Sequence, residues 1–251
     1  VSLALLALGP APDQAGAATP AVDASTSKGS AGHRAAVGRT LAPTRSLSHA
    51  ARILIRTRAR FSPGFLGRTE SVLRTRSAWS GGPHQFLVLA ERQVGGVRWL
   101  KLRLASRPNN SAAWVPASRT RLLRNPWRVV VSVENRRVSV FRNGRLRSSF
   151  RAVVGAPDTP TPRGLFAIYE RVRQPDPNGF LGPFALHLTS HSRVLDNYGG
   201  GPGRVAIHGR GGASLYDPLG SARSHGCIRV GSGRIVALAR MLPLGTPVRV
   251  R

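Results

Sequence analysis

The chain has 251 residues, room for one large domain or two smaller ones with cores of their own. It carries 38 basic against 10 acidic side chains, a formal charge of +28, and Lys28 and Lys101 are its only lysines. The arginines are spread along the chain with no dense basic tail, zinc-ligand spacing or aromatic RNA-binding motif. That argues against a specific nucleic-acid reader, leaving anionic polymers as partners of the charge and a GC-rich coding bias as the main source of it.

Residues 1–24 open on an apolar run, Leu3 to Leu8, followed by Ala15-Gly16-Ala17. The run is too short to span a bilayer and reads as the later part of a secretory leader, which implies an exported protein. Residues 25–67 are rich in small and polar residues and read as a flexible linker, with alternation beginning at Ile53 and Ile55. Over 68–122, "HQFLVLAERQVGGVRWLKLRL" predicts a hairpin turning at Gly95-Gly96, and "RPNNSAAWVP" a turn leading into a strand at Trp114-Val115. This small all-β module resembles bacterial SH3-like domains in its "WLKLRL" run, its "RPNNS" turn and Trp114. "RNPWR" is then a sharp joint.

From 126 to 251 the pattern is mainly β. Val129, Val131 and Val133 share one face, Val138 and Val140 follow a turn at Asn135, and Asn143-Gly144 predicts a second tight turn. Three prolines keep "APDTPTPRG" out of any central strand. "LFAIYERV", "FALHLTSH" and the final "TPVRV" read as strands. The "LDNYGGGPGR" stretch at 195–204 is glycine-rich and expected to be mobile. One helix is predicted over "SGRIVALARML", where Ile235, Leu238, Ala239 and Leu242 form an apolar stripe, with Ser232 as cap and Pro243 and Gly245 as the stop.

The chemistry concentrates in "AIHGRGGASLYDPLGSARSHGCIRV". Cys227 is the single cysteine, so it forms no internal disulfide. A free thiol is more often a small buried hydrophobe than a nucleophile. Here Ser224, His225 and Gly226 precede it instead of an apolar run, and His208 lies upstream, separated from Ser224 by the fifteen residues from Gly209 to Arg223. A thiol with a pKa near ~8.5 is only a few per cent thiolate at neutral pH and needs a base, so an imidazole that takes the proton as an ion pair suits it. Gly226 allows a close backbone approach, and neighbouring N–H groups can bind an oxyanion. If 224–228 is extended, His225 points the same way as Cys227. His208 could equally approach across a strand pair, and spacing leaves both open. His187 and His191 are four apart, but their β context and the lack of a nearby glutamate argue against a metal site. His33, His49 and His84 read as solvated.

His208, then Ser224-His225-Gly226-Cys227, together with "TPTPRGLF", resembles the L,D-transpeptidases, whose catalytic domain is called the YkuD fold. The order His before Cys separates it from papain-like and NlpC-type peptidases. The resemblance implies a β-sandwich or barrel over 126–251 with one helix after the catalytic Cys, and no cofactor or metal. It implies Cys227 as nucleophile and His208 as general base. His225 and Gly226 would shape the oxyanion site, Ser224 would support it, and the Gly209 backbone carbonyl would orient the base. Many members carry Asn two residues after the Cys and others Arg; Arg229 here would pair with a substrate carboxylate or brace the loop. The 195–204 stretch would sit where members often have a lid. The implied reaction is acyl transfer on peptidoglycan stem peptides through a thioester, giving 3→3 cross-links. Water as acceptor would make it an L,D-carboxypeptidase, and a non-catalytic wall- or polyanion-binding protein is the remaining alternative.

Overall fold

The computed structural model describes residues 38–197 and 200–251. The leader-like segment 1–24, the first part of the expected linker and His33 lie outside the described residues, as do Tyr198 and Gly199 of the glycine-rich stretch. The described residues fall within one compact unit.

The β module starts well before residue 68. Three strands occupy ground expected to be linker: β1 (Gly38–Thr40), β2 (Ser48–Ile53) and β3 (Thr57–Arg60). They are followed by β4 (Thr69–Leu73), β5 (Gln85–Val94), β6 (Val97–Arg103), β7 (Ala112–Pro116) and β8 (Thr120–Asn125). The sheet runs β4-β3-β7-β6-β5-β2-β8, with β1 on the other part of β5. The physical reason for the missed strands is small side chains. β2 buries Ala50 and Ala51 and β3 buries Ala59, and alanine has little β propensity of its own. Alternation also stops at Ile53, since Leu54 and Ile55 are exposed. The Gly95-Gly96 hairpin forms as expected, with φ of 56° and 73° at its two residues. The core of the module is Ile53, Phe86, Val88, Leu100, Leu102 and Val115, among others.

The second sheet holds β9 (Trp127–Ser132), β10 (Arg137–Arg142), β11 (Arg145–Arg151), β13 (Gly164–Arg173), β14 (Phe184–His191), β15 (Arg204–His208), β17 (Ile228–Arg229) and β18 (Pro247–Val250). β12 (Val154–Gly155) and β16 (Ala222–Ser224) form a separate parallel pair. The large sheet has the order β11-β10-β9-β18-β13-β14-β15-β17. Its closing strand β18 slots in parallel to β9 and antiparallel to β13. At the other end β17 runs parallel to β15, pairing Ile207 with Ile228 and His208 with Arg229. That pairing brings the two halves of the His…Cys motif side by side. The Asn143-Gly144 turn has φ of 51° and 78°, the left-handed pair a tight hairpin needs.

The helix α1 (Ser232–Met241) packs Ile235, Leu238 and Ala239 into the core formed by Val129, Val140, Phe166 and Ile207. Ser232 is its first residue and not its cap: Gly231 holds the cap position, and the Ser232 hydroxyl donates to the Arg210 carbonyl at 2.8 Å.

The module and the second sheet are bonded to one another. Asn125 Nδ2 donates to Thr246 Oγ1 at 3.0 Å, and the Tyr169 hydroxyl meets His84 Nε2 at 2.8 Å. His84 is therefore buried and not solvated; its other nitrogen donates to the Arg74 carbonyl at 2.9 Å. Gly245 sits at this seam with φ +81°, and a Cβ there would lie 2.6 Å from Ala50 Cβ. Gly245→Ala combines left-handed strain with overpacking. It should destabilise the fold by roughly 2–3 kcal/mol and lower the melting temperature by roughly 5–10 °C, read by calorimetry.

Candidate active site

A pocket of about 340 Å³ opens where β14, β15 and the 225–229 segment meet, and His208, His225, Cys227 and Arg229 all line it. The chain does not run extended through the motif. His225 and Gly226 form a bend between β16 and β17, and Gly226 has φ +106°. The period-two argument for His225 and Cys227 therefore fails locally, although both reach the same pocket.

Ser224 staples that bend. It is fully buried, its Oγ donates to the Cys227 carbonyl at 2.5 Å, and it accepts the Gly226 N–H at 3.2 Å. Two threonines of "TPTPRG" clamp the same turn from behind. Thr159 Oγ1 donates to the Ser224 carbonyl at 3.1 Å, and Thr161 Oγ1 donates to the Gly226 carbonyl at 2.9 Å. Thr161 also accepts the Gly155 N–H at 2.8 Å. The prolines keep this segment free of sheet pairing, so its hydroxyls can bond a neighbouring turn.

His208 is 1% exposed at the end of β15. Its Nδ1 lies 2.8 Å from the Gly209 carbonyl. A carbonyl only accepts, so Nδ1 carries the proton and Nε2 is left as the basic nitrogen. Gly209 fits tightly: a Cβ there would lie 2.9 Å from Ile235 and 3.0 Å from Pro183. Burial pulls the His208 pKa down to about 4, opposed by the Gly209 and Leu181 carbonyls and helped by Arg229 and His187. Burial pushes the Cys227 thiol up, opposed by the Ala206 N–H, which donates to Sγ at 3.4 Å, and by Arg229. Desolvation of both groups therefore works against charge on either, thiolate or imidazolium.

Arg229 is 3% exposed and ion-paired with Asp217, and its guanidinium lies 4.7 Å from the Phe180 ring centre. The ion pair ties β17 to the segment that joins the two halves of the motif. Sequence reasoning passed over Asp217, Phe180, Arg204 and Trp79. Only the proximity of "YDPLGS" to the motif hinted at the first.

The sequence of this site has close counterparts. Residues 126–250 match the family model of the L,D-transpeptidase catalytic domain, YkuD. This segment belongs to the L,D-transpeptidase family. The YkuD protein of Bacillus licheniformis is 34% identical over 125 residues, which is 50% of this chain and 66% of that protein. The YkuD protein of Bacillus subtilis is 31% identical over the same shares. Just under two thirds of these relatives' own length is therefore matched. Among solved structures, the L,D-transpeptidase from Mycobacterium smegmatis aligns over 86% of this chain and 91% of its own, at 20% identity and a TM-score of 0.40.

His187 and His191 of this transpeptidase domain sit on β14 and its end, with no group of potential metal ligands around them among the described residues. Burial, reinforced by Arg204, lowers both to about 4, as for His208. All three start from 6.5, so between 6.5 and about 4 the unfolded chain binds protons that the fold excludes. Their contribution is complete above 6.5 and is lost as pH falls through that window. Lowering the pH from 7 to 5 should remove about 1–2 kcal/mol per histidine and roughly 10 °C of melting temperature, followed by thermal denaturation across pH.

Proposed function

We propose that the protein is a peptidoglycan L,D-transpeptidase working through a Cys227 thioester. The observation that carries this is His208, held by the Gly209 carbonyl with Nε2 unprotonated, in one pocket with the only thiol of the chain. In this reading the thiol gives up the Ala206 N–H contact and its proton passes to Nε2. Sγ then attacks the carbonyl of the diamino acid at stem position three while Nε2 takes the thiol proton. The Gly226 N–H is occupied by Ser224, so in this reading the oxyanion is met by the Cys227 N–H. The tetrahedral adduct collapses, and the protonated His208 gives its proton to the departing amine of D-alanine. The amine of a second stem then attacks the thioester, loses a proton to His208, and expels Sγ, which is reprotonated. The product is a 3→3 cross-link.

Arg229 takes part electrostatically: its charge favours thiolate and disfavours imidazolium. His225, exposed at the pocket rim, contributes to the oxyanion side. Incubation with tetrapeptide-stem fragments tests the reading. Dimers with loss of D-alanine support it, trimmed monomers indicate the carboxypeptidase, and unchanged substrate with unmodified Cys227 overturns it.

Such a substrate places the protein outside the cytoplasmic membrane, and no helix of the described residues is long and apolar enough to cross one. The charge suits the same setting. Arg45, Arg128 and Arg249 line a second pocket, and none of them is ion-paired among the described residues. Sedimentation with purified cell walls should weaken steeply as salt rises from 50 to 500 mM, conditions over which the Debye length falls below about 5 Å, and should be unaffected by Cys227→Ala.

A further inference from the structure

The pocket wall facing the catalytic residues includes one residue from outside the transpeptidase domain, Trp79 of the upstream module. It sits in the segment between β4 and β5, a loop tied directly to the second sheet. Glu170 of β13 is fully buried, and its Oε1 accepts the N–H of Trp79 at 2.8 Å and that of Ser80 at 2.5 Å. The indole is then held on two sides. It meets His187 edge-on with ring centres 4.8 Å apart, and the Arg204 guanidinium lies 4.5 Å from its centre. Arg204 in turn lies 4.9 Å from the Tyr169 ring. His187 and Arg204 are themselves pocket residues. Despite this anchoring Trp79 is 46% exposed. A tryptophan whose backbone is fixed by a buried carboxylate and whose ring is left half open has been placed, not packed away.

We propose that Trp79 is a substrate-positioning residue: the upstream module supplies an aromatic wall against which the acyl-donor peptide lays its aliphatic and amide surface beside Cys227. This rests on the reading of the pocket as an acyl-donor site. The module is thereby part of the catalytic pocket and not only a tether to the wall. A second module arm supports the same side. Arg107 donates to the carbonyls of Ser192 at 2.7 Å and Leu195 at 3.0 Å, and Asn109 exchanges two 2.8 Å hydrogen bonds with the His191 backbone.

The test uses the full chain with a tetrapeptide-stem donor. Trp79→Ala should raise KM about tenfold with kcat within about threefold, and Trp79→Phe should recover most of the loss. Alkylation of Cys227 by iodoacetamide, which needs no peptide site, should keep its wild-type rate in both variants. Binding of the same peptide to Cys227→Ala and to Cys227→Ala/Trp79→Ala, by calorimetry, should differ by the same factor. An unchanged KM, or a kcat and an alkylation rate that fall together, would overturn the role of Trp79 while leaving the transpeptidase reading intact. A wild type that neither binds nor turns over the peptide removes that reading, and this inference with it.

Discussion

Cys227→Ala is expected to abolish every covalent product: no thioester with a stem peptide, and no mass adduct with a carbapenem, where the wild type gains one. The chain holds no second thiol to substitute for it, and alanine leaves nothing at the position that can form an acyl bond. Loss of an activated nucleophile costs about 10⁶ in kcat where it has been dissected elsewhere, and residual turnover then comes only from binding and the oxyanion site. Cys227→Ser is the sharper variant. It keeps the size and the Ala206 N–H contact, but the hydroxyl is far harder to deprotonate than the thiol. With a base whose pKa is only about 4, His208 cannot compensate, and a drop of at least ~10³ is expected. Neither substitution touches the Ser224–Thr159–Thr161 clamp, so the melting temperature should stay near that of the wild type. An adduct of undiminished yield on Cys227→Ala would remove the thioester mechanism.

What the sequence disclosed about this site was local. The Asn143-Gly144 and Gly95-Gly96 turns, the stripe of α1 and the Ser-His-Gly-Cys run all carry their signal within a few residues; the turns and the stripe occupy their expected places, and the run bends where an extended segment was expected. What stayed hidden depends on partners far along the chain. Trp79 and Glu170 are 91 residues apart, and nothing in "SAWSGG" announces that two of its amides will meet a carboxylate. His84 read as solvated because its partner Tyr169 is 85 residues away. The strands β2 and β3 were hidden for a different reason: apart from Ile53 their buried residues are Ser48, Ala50, Ala51, Thr57 and Ala59, small side chains that in sequence look like linker. Thr159 and Thr161 belonged to a recognisable segment, but that segment said nothing of which carbonyls they would clamp.

His208→Gln should lower kcat by about 10³, because the amide can neither take the thiol proton nor return one to the leaving amine. Glutamine is comparable in length, so ground-state binding and KM should move little. The pH dependence separates two accounts of the same pair. A preformed thiolate–imidazolium would alkylate with iodoacetamide at a constant rate from about pH 5 to 8. The pair described above behaves otherwise: burial keeps the imidazole neutral down to about 4, and desolvation holds the proton on the thiol above its ordinary range. Alkylation should then be slow at pH 6 and climb roughly tenfold per pH unit past pH 8, with or without His208. Peptide turnover should fall on the acid side only as His208 is protonated, at pH values near 4 to 5, and His208→Gln should lose that limb along with its rate. A flat alkylation profile that becomes steep in His208→Gln would show that the histidine ionises the thiol before substrate arrives, reversing the order of proton transfer and attack.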